Sequence, residues 1–184
     1  MDKLEIVEPI RDIEKIEEMK RVLKNDSYRN YILFILGINV GLRISDILRL
    51  KVKDVKDKSH IRLRTKKTNK EIKRRISPML KQELNEFIYY KNLDEYLFQS
   101  REGDNKPLSS TQAYNILKKA SEKVGLENIG THSMRKTFGY HHYKENKDVA
   151  MLQQMFRHSS PSVTLRYIGI NQDLQDQSMD NFYL

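Results

Sequence analysis

The residue types able to do chemistry gather toward the C-terminal end of the sequence, in T-H-S-M-R-K-T-F (131–138) and F-R-H-S-S-P-S-V-T-L-R-Y (156–167). These stretches supply His132, Arg135, His158 and Tyr167. His132 and Arg135 are three apart, so a helix would place both on one face. An arginine there can fork onto two oxygens of a phosphate, while a histidine donates to a third or moves a proton. Far upstream, G-L-R-I-S-D-I-L-R-L carries Arg43, which would supply a second fork from a helix-to-helix corner. The competing assignment for Arg43 is a surface arginine paired with Asp46. Phosphoryl transfer gathers negative charge on non-bridging oxygens, and one fixed donor aimed there contributes roughly 3–4 kcal/mol. Two arginines and two histidines around one phosphate can therefore act without a metal.

An attacking group is also needed. Cysteine is absent, which also excludes disulfides and thiolate zinc sites, and no serine stands in a nucleophile elbow. Tyrosine ionises with a pKa of about 10, so roughly one in a thousand is phenolate at neutral pH, and cationic neighbours raise that fraction. Of the ten tyrosines, Tyr167 is best placed, behind Arg166 in the segment after His158. Taken alone it is an ordinary half-buried tyrosine, and Tyr140 and Tyr143 suit packing. A departing deoxyribose 5′ oxygen needs a proton, which Lys66 or Lys67 can deliver. His141 and Glu145, four apart, could share a helix face with His142 adjacent, but no acidic cluster accompanies them, so neither a metal site nor a cofactor is expected. The absence of a Gly-rich phosphate loop argues against a nucleotide triphosphatase.

The elements that must position these groups follow from periodicity and caps. The expected fold is mainly α with a small antiparallel β-sheet (α+β). Residues 1–10 read as an N-terminal tail or linker stub, and 11–184 as one domain. Asp12 to Lys24 has helical apolar spacing. A mostly apolar helix then runs to about Val40, where Gly41 ends it. Ser45 is expected to cap a short helix. Residues 60–65 and 71–76 alternate as a hairpin around a basic tip, K-K-T-N-K. Between Arg49 and Arg75 the only acidic residues are Asp54, Asp57 and Glu71; the hairpin is expected to lie on nucleic acid, with a lysine-protected sheet edge as the alternative. Helices are expected from Pro78 to about Lys91, from the Ser109–Gln112 capping box to Gly125, from a Thr131 cap to Asn146, over 148–157, from Ser160-Pro161 to Tyr167, and over 171–183. The last is polar, with Leu174, Met179 and Phe182 as its anchors, and could pack on a neighbour. A formal net charge of +9 favours a polyanionic partner, nucleic acid before a membrane surface. With no apolar leader at its start and no spanning-length apolar run, a cytoplasmic protein, nucleoid-associated when on DNA, is expected.

Taken in order, these boxes resemble the tyrosine recombinase (phage integrase) family over about residue 11 to the end. G-L-R-I-S-D-I-L-R-L resembles its first arginine box, K-T-N-K-E its hairpin lysine motif, T-H-S-M-R-K-T-F its His-x-x-Arg box, and R-H-S-S-P-S-V-T-L-R-Y its last box. The resemblance selects Lys67 over Lys66 and implies the family's helical catalytic-domain (DNA breaking-rejoining) fold. It implies that Tyr167 attacks a DNA phosphate to give a 3′-phosphotyrosine, without ATP or metal. Arg43, Arg135, His132 and His158 would stabilise the phosphorane, and Lys67 would protonate the leaving oxygen. Arg64, Lys66, Lys70 and Lys136 are the further expected DNA contacts. Implied partners are double-stranded recombination sites, with a homo-tetramer on DNA and a monomer or weak oligomer off it. Relaxation of the topoisomerase IB kind, or a catalytically silent DNA binder, are the alternatives. Three departures stand out. Arg157 replaces the usual glycine before the last histidine, so the helix end is expected to be built differently. Lys136 stands where histidine is common. There is no room for the family's separate N-terminal DNA-clamping (core-binding) domain, which suggests a catalytic fragment or a reduced member.

Overall fold

The computed structural model describes residues 7–67, 69–180 and 182–183. Helix α1 (Ile13–Asp26) opens where the Asp12 carboxylate accepts from the Glu14 N–H, and it buries Ile16, Met19 and Leu23. Helix α2 (Tyr28–Val40) is buried on nearly every side and forms the centre of the main core. It stops at Gly41, whose φ of +60° is the left-handed conformation glycine adopts without penalty.

A short helix, α3 (Ile44–Ile47), follows. Its cap position is Arg43, which has extended dihedrals, so the expected Ser45 cap is corrected by two residues. Strands β1 (His60–Arg64) and β2 (Glu71–Arg75) pair antiparallel, with Leu63 opposite Ile72 and Ile61 opposite Arg74. Ile61 and Ile72 turn into the core, and the basic positions Arg62, Lys73 and Arg75 turn outward. The remaining helices are α4 (Pro78–Ile88), α5 (Ser110–Lys123), α6 (Thr131–Asn146), α7 (Val149–Phe156), α8 (Pro161–Tyr167) and α9 (Ile170–Asp180). The Ser109–Gln112 capping box of α5 is present in both directions. Thr131 is the first residue of α6 rather than its cap, because Gly130 takes the extended cap conformation. This is a mostly helical fold with one two-stranded antiparallel sheet.

Apolar burial divides into two clusters. The main one spans α1 through α5 and reaches Met134 on α6. The smaller one gathers Tyr140, Leu152, Phe156, Ile168 and Ile170, with Tyr167 packed against it. Helix α6 belongs to both. Its approach to each depends on glycine: a Cβ on Gly37 would strike Met134 Sδ, and one on Gly139 would sit 2.6 Å from Ile168 Cγ2.

Residues 1–6 of the expected tail lie outside the described residues. Residues 7–11 are no tail; they form a strap across α6. Ile10 is buried, its N–H donates to Thr137 Oγ1 (2.9 Å), and its carbonyl accepts from His141 Nε2 (2.9 Å). Arg11 reaches the far end of the chain, with Nε donating to Asp173 Oδ1 (2.9 Å) while Tyr140 Oη holds Asp173 Oδ2 (2.7 Å). Among the described residues no helix is long and apolar enough to cross a membrane.

Candidate active site

Arg135 is the hub. It lies on α6 at the seam of the two clusters and is only 4 % exposed. One guanidinium nitrogen donates to the Gly41 carbonyl and another to the Phe156 carbonyl (3.2 Å). The first carbonyl lies two residues before Arg43, and the second two residues before His158. A single planar fork thus fixes both corners that carry the other charged groups, a geometry lysine's point charge cannot reproduce. The guanidinium also lies over the Phe156 ring, 4.2 Å from its centroid. Burial foremost, with Arg43 and Arg74 adding to it, pushes the Arg135 pKa down to about 10, which leaves it charged at neutral pH.

Arg43 is not paired with Asp46. Asp46 is buried, and its Oδ1 accepts from the Lys66 main-chain N–H (2.8 Å). The carboxylate therefore pins the hairpin tip to α3. The Arg43 side chain makes no hydrogen bond or ion pair among the described residues, and its field reaches Arg135, His132, His158 and Tyr167. Lys67, exposed at the tip, acts on His132. Arg64 and Lys70 flank the same tip and are exposed.

Both histidines sit among cations. Burial, then Arg135 and Arg43, lowers the His132 pKa, with Lys136 and Lys67 contributing. Burial, then Arg135 and Arg43, lowers that of His158. Both are therefore neutral at neutral pH. His158 Nδ1 faces Thr164 Oγ1 at 3.1 Å, and that hydroxyl donates onward to the Ser160 carbonyl (3.3 Å). The Thr164 oxygen must then accept from Nδ1–H, which leaves Nε2 as the free nitrogen of the neutral ring.

Tyr167 ends α8 beside these groups. Its ring meets His158 edge-on at 5.0 Å between centroids, and Phe156 at 5.6 Å. Burial pushes the phenol pKa up; Arg135 and Arg43 pull it down but do not overcome burial. Lys136 lies over the same ring, 5.3 Å from its centroid, and its Nζ donates to the Val7 carbonyl (2.7 Å).

The six side chains singled out from the sequence thus form one cluster, although they come from four separate stretches of chain. Two structural supports escaped sequence reasoning. Asp46 had been weighed only as a partner for Arg43; its place in the G-L-R-I-S-D box was the available signal. Arg74 is buried beneath β2 and donates to the Met155 carbonyl, which anchors the end of α7. The strand alternation puts it on the same inward face as Ile72 and Ile76, opposite Lys73 and Arg75, and that register was the available signal. Arg157 adopts φ +57° and ψ +47° at the end of α7, the left-handed conformation a glycine would supply, and its guanidinium donates to the Glu71 carbonyl. The helix end is therefore built as with glycine, plus a side-chain tether to the sheet. His141 is engaged with Ile10, and His142 packs against Phe138 at 5.5 Å.

A mostly helical domain with a small hairpin, gathering two arginines and a histidine around a tyrosine with a second histidine and a hairpin lysine in the adjoining field, fits the class of tyrosine recombinase catalytic domains. The phage integrase family model matches residues 11–173, and the chain belongs to that family. It is 53% identical over 170 residues to a probable integrase/recombinase, YoeC, of Bacillus subtilis (strain 168), covering 92% of this chain and 93% of that protein. It is 27% identical to the tyrosine recombinase XerA of Pyrococcus furiosus, covering 85% of this chain but only 56% of that one. The fold matches the crystal structure of XerA recombinase (TM-score 0.72, 16% identity, 96% of this chain and 67% of that chain). It also matches XerH site-specific recombinase bound to a palindromic difH substrate (TM-score 0.70, 20% identity, 95% and 53%).

Proposed function

We propose that residues 11–184 form a catalytic unit that cuts and rejoins DNA strands through Tyr167. The observation that carries this reading is the convergence of Arg43, Arg135 and His158 on the tyrosine, with His132 in the field of the same two arginines and of Lys67. The phenol oxygen attacks phosphorus, a phosphotyrosine bond forms, and the bond to the 5′ oxygen breaks. Because the phenol pKa is raised, its proton needs an acceptor; neutral His132 provides one. Arg43 and Arg135 bear the charge of the pentacoordinate state, His158 donates to it from Nε2 once the phosphate has drawn a proton onto that nitrogen, and Lys67 protonates the departing 5′ oxygen. A 5′ hydroxyl from another strand reverses the sequence, and the covalent bond conserves the energy that rejoining needs. Arg64, Lys66 and Lys70 supply backbone contacts from the hairpin tip. Exchange between two duplexes cuts every strand once with one tyrosine per chain, so the working assembly is a tetramer on DNA.

The test is a suicide duplex, nicked near the scissile phosphate and carrying a site selected by this protein from a random pool. The wild-type chain becomes covalently linked to DNA, and mass spectrometry places the link on Tyr167. Tyr167→Phe yields no adduct. An adduct of equal amount with that variant overturns the assignment.

A further inference from the structure

Lys136 is a cation near the reacting groups that the scheme above leaves without a task. On sequence it was expected to contact DNA, yet its ammonium is already engaged inside the protein. It donates to the Val7 carbonyl (2.7 Å) and stands over the Tyr167 ring, 5.3 Å from the centroid, within the range of a cation–π contact. The other contacts to this ring are edge-on, from His158 and Phe156. Lys136 is thus the group that faces the ring's π surface, and the strap residue Val7 holds it there.

We propose that Lys136 is a positioning residue for the nucleophile: clamped by the Val7 carbonyl, its ammonium fixes the plane of the Tyr167 ring and so aims the phenol oxygen. The proposal rests on Tyr167 being the nucleophile. It concerns orientation rather than acidity. The charged groups facing the phenol oxygen are Arg135 on α6 and Arg43 at the α2–α3 corner, with His158 alongside from the loop before α8. Lys136 contributes nothing resolved to the phenol's pKa, which fits an ammonium lying over the ring rather than beside the hydroxyl. Burial lowers the pKa of Lys136 itself, with Glu8 opposing and Arg11 reinforcing that shift, as expected for an ammonium drawn inward rather than held out for a phosphate. Residues 7–11 then serve the reaction as well as the fold, since the atom that clamps Lys136 belongs to them.

The experiment compares the full chain with Lys136→Met, Lys136→Gln and Lys136→Arg on the suicide duplex at saturating DNA. It records the rate of adduct formation, the Kd, its salt dependence and the pH profile. Met keeps the aliphatic stem without charge, Gln keeps a donor for Val7 without charge, and Arg keeps the cation. The expected result is a rate lower by about tenfold to a hundredfold for Met and Gln, the scale of a misaimed reacting group. Arg should restore most of the rate, while Kd, salt slope and pH midpoint stay at wild-type values. Weaker binding with a salt slope shallower by about one would make Lys136 a phosphate contact and overturn the proposal. So would an alkaline shift of the pH midpoint, a wild-type rate in Met and Gln, or an Arg variant that folds but stays slow. Thermal melts identify any variant that does not fold; Met and Gln differ enough that either one carries the comparison alone. Tyr167→Phe in parallel separates the two readings, since an adduct with that variant rejects the nucleophile itself.

Discussion

Arg157 carries a strain that its neighbours do not. A left-handed backbone costs a non-glycine residue about 1–2 kcal/mol, and Arg157 adopts it because α7 must stop there and turn His158 back toward the site. The tether to the Glu71 carbonyl offsets part of that cost. Removing the side chain with and without its Cβ separates the two terms. Arg157→Ala keeps the strain and loses the tether, while Arg157→Gly loses both. The glycine variant is therefore expected to be more stable than the alanine variant by about 1 kcal/mol, read from denaturant midpoints. At this scale the sequence was informative wherever chemistry restricts the residue type. Arg43 stood even with a surface ion pair, and Lys67 was separated from Lys66 by the family resemblance alone, whereas His132, Arg135, His158 and Tyr167 stood out because few side chains suit phosphoryl transfer. Asp46 and Arg74 did not, because their partners are main-chain atoms of distant segments, and no spacing encodes a backbone N–H 20 residues away.

Among the elements, the hairpin depends most on one contact. Its strands pair over five residues each, and a two-stranded ribbon has little stability of its own. The Asp46 carboxylate, held in α3 beside Arg43, fixes where the tip stands. Asp46→Ala leaves the Lys66 N–H without that partner and is expected to cost about 1–3 kcal/mol of stability. It should also slow adduct formation beyond what lost folding explains, because Lys67 is then no longer held over the site. Asp46→Asn retains an acceptor and should lie near wild type in both. Thermal melts and single-turnover trapping on the suicide duplex measure the two effects; equal rates in Ala and Asn would contradict the positioning role. Helix starts were readable to within a residue or two, from caps such as Ser109 and Ser160, whereas α4 stops at Ile88, three residues before the expected Lys91. The misplacements at Ser45 and Thr131 arose because Arg43 and Gly130 take the extended dihedrals at those positions. Neither has the side chain that marks a cap in sequence.

Over the whole molecule, positive charge is concentrated where the site lies. Burial first, then Arg135 and Arg43, holds both histidines neutral. A DNA phosphate between these groups shifts that balance at His158 above all, since an anion favours the imidazolium form, whereas His132 must stay neutral to take the phenol proton. The complex then binds more protons than its parts, so affinity is expected to rise as pH falls from about 8 to 6, through the ordinary imidazole range near 6.5. In the free protein the sign is opposite. The unfolded chain takes up protons on its histidines first, so stability declines as pH drops below about 6.5. Fluorescence anisotropy with a labelled duplex, at constant ionic strength, checks the binding limb; a Kd independent of pH would place the phosphate away from the His158 ring. The net charge of +9 pointed toward DNA but not toward this concentration. That required α6 to bridge two apolar clusters, and the packing of Met134 against Gly37 and of Ile168 against Gly139 leaves no periodic trace in the sequence.

The contact at Gly139 limits how the tyrosine can travel. With Ile168 and Phe156 seated directly on bare helix backbone, a side chain's thickness is missing from the joint between α6 and the C-terminal helices. Tyr167, one residue from Ile168, cannot swing outward as the tip of a loose arm while that joint stays shut. If Tyr167 is the nucleophile proposed above, delivering it to a phosphate held by a different copy would mean prying off the entire smaller cluster, so the economical arrangement is for each copy to cut the strand bound at its own Arg43 and Arg135.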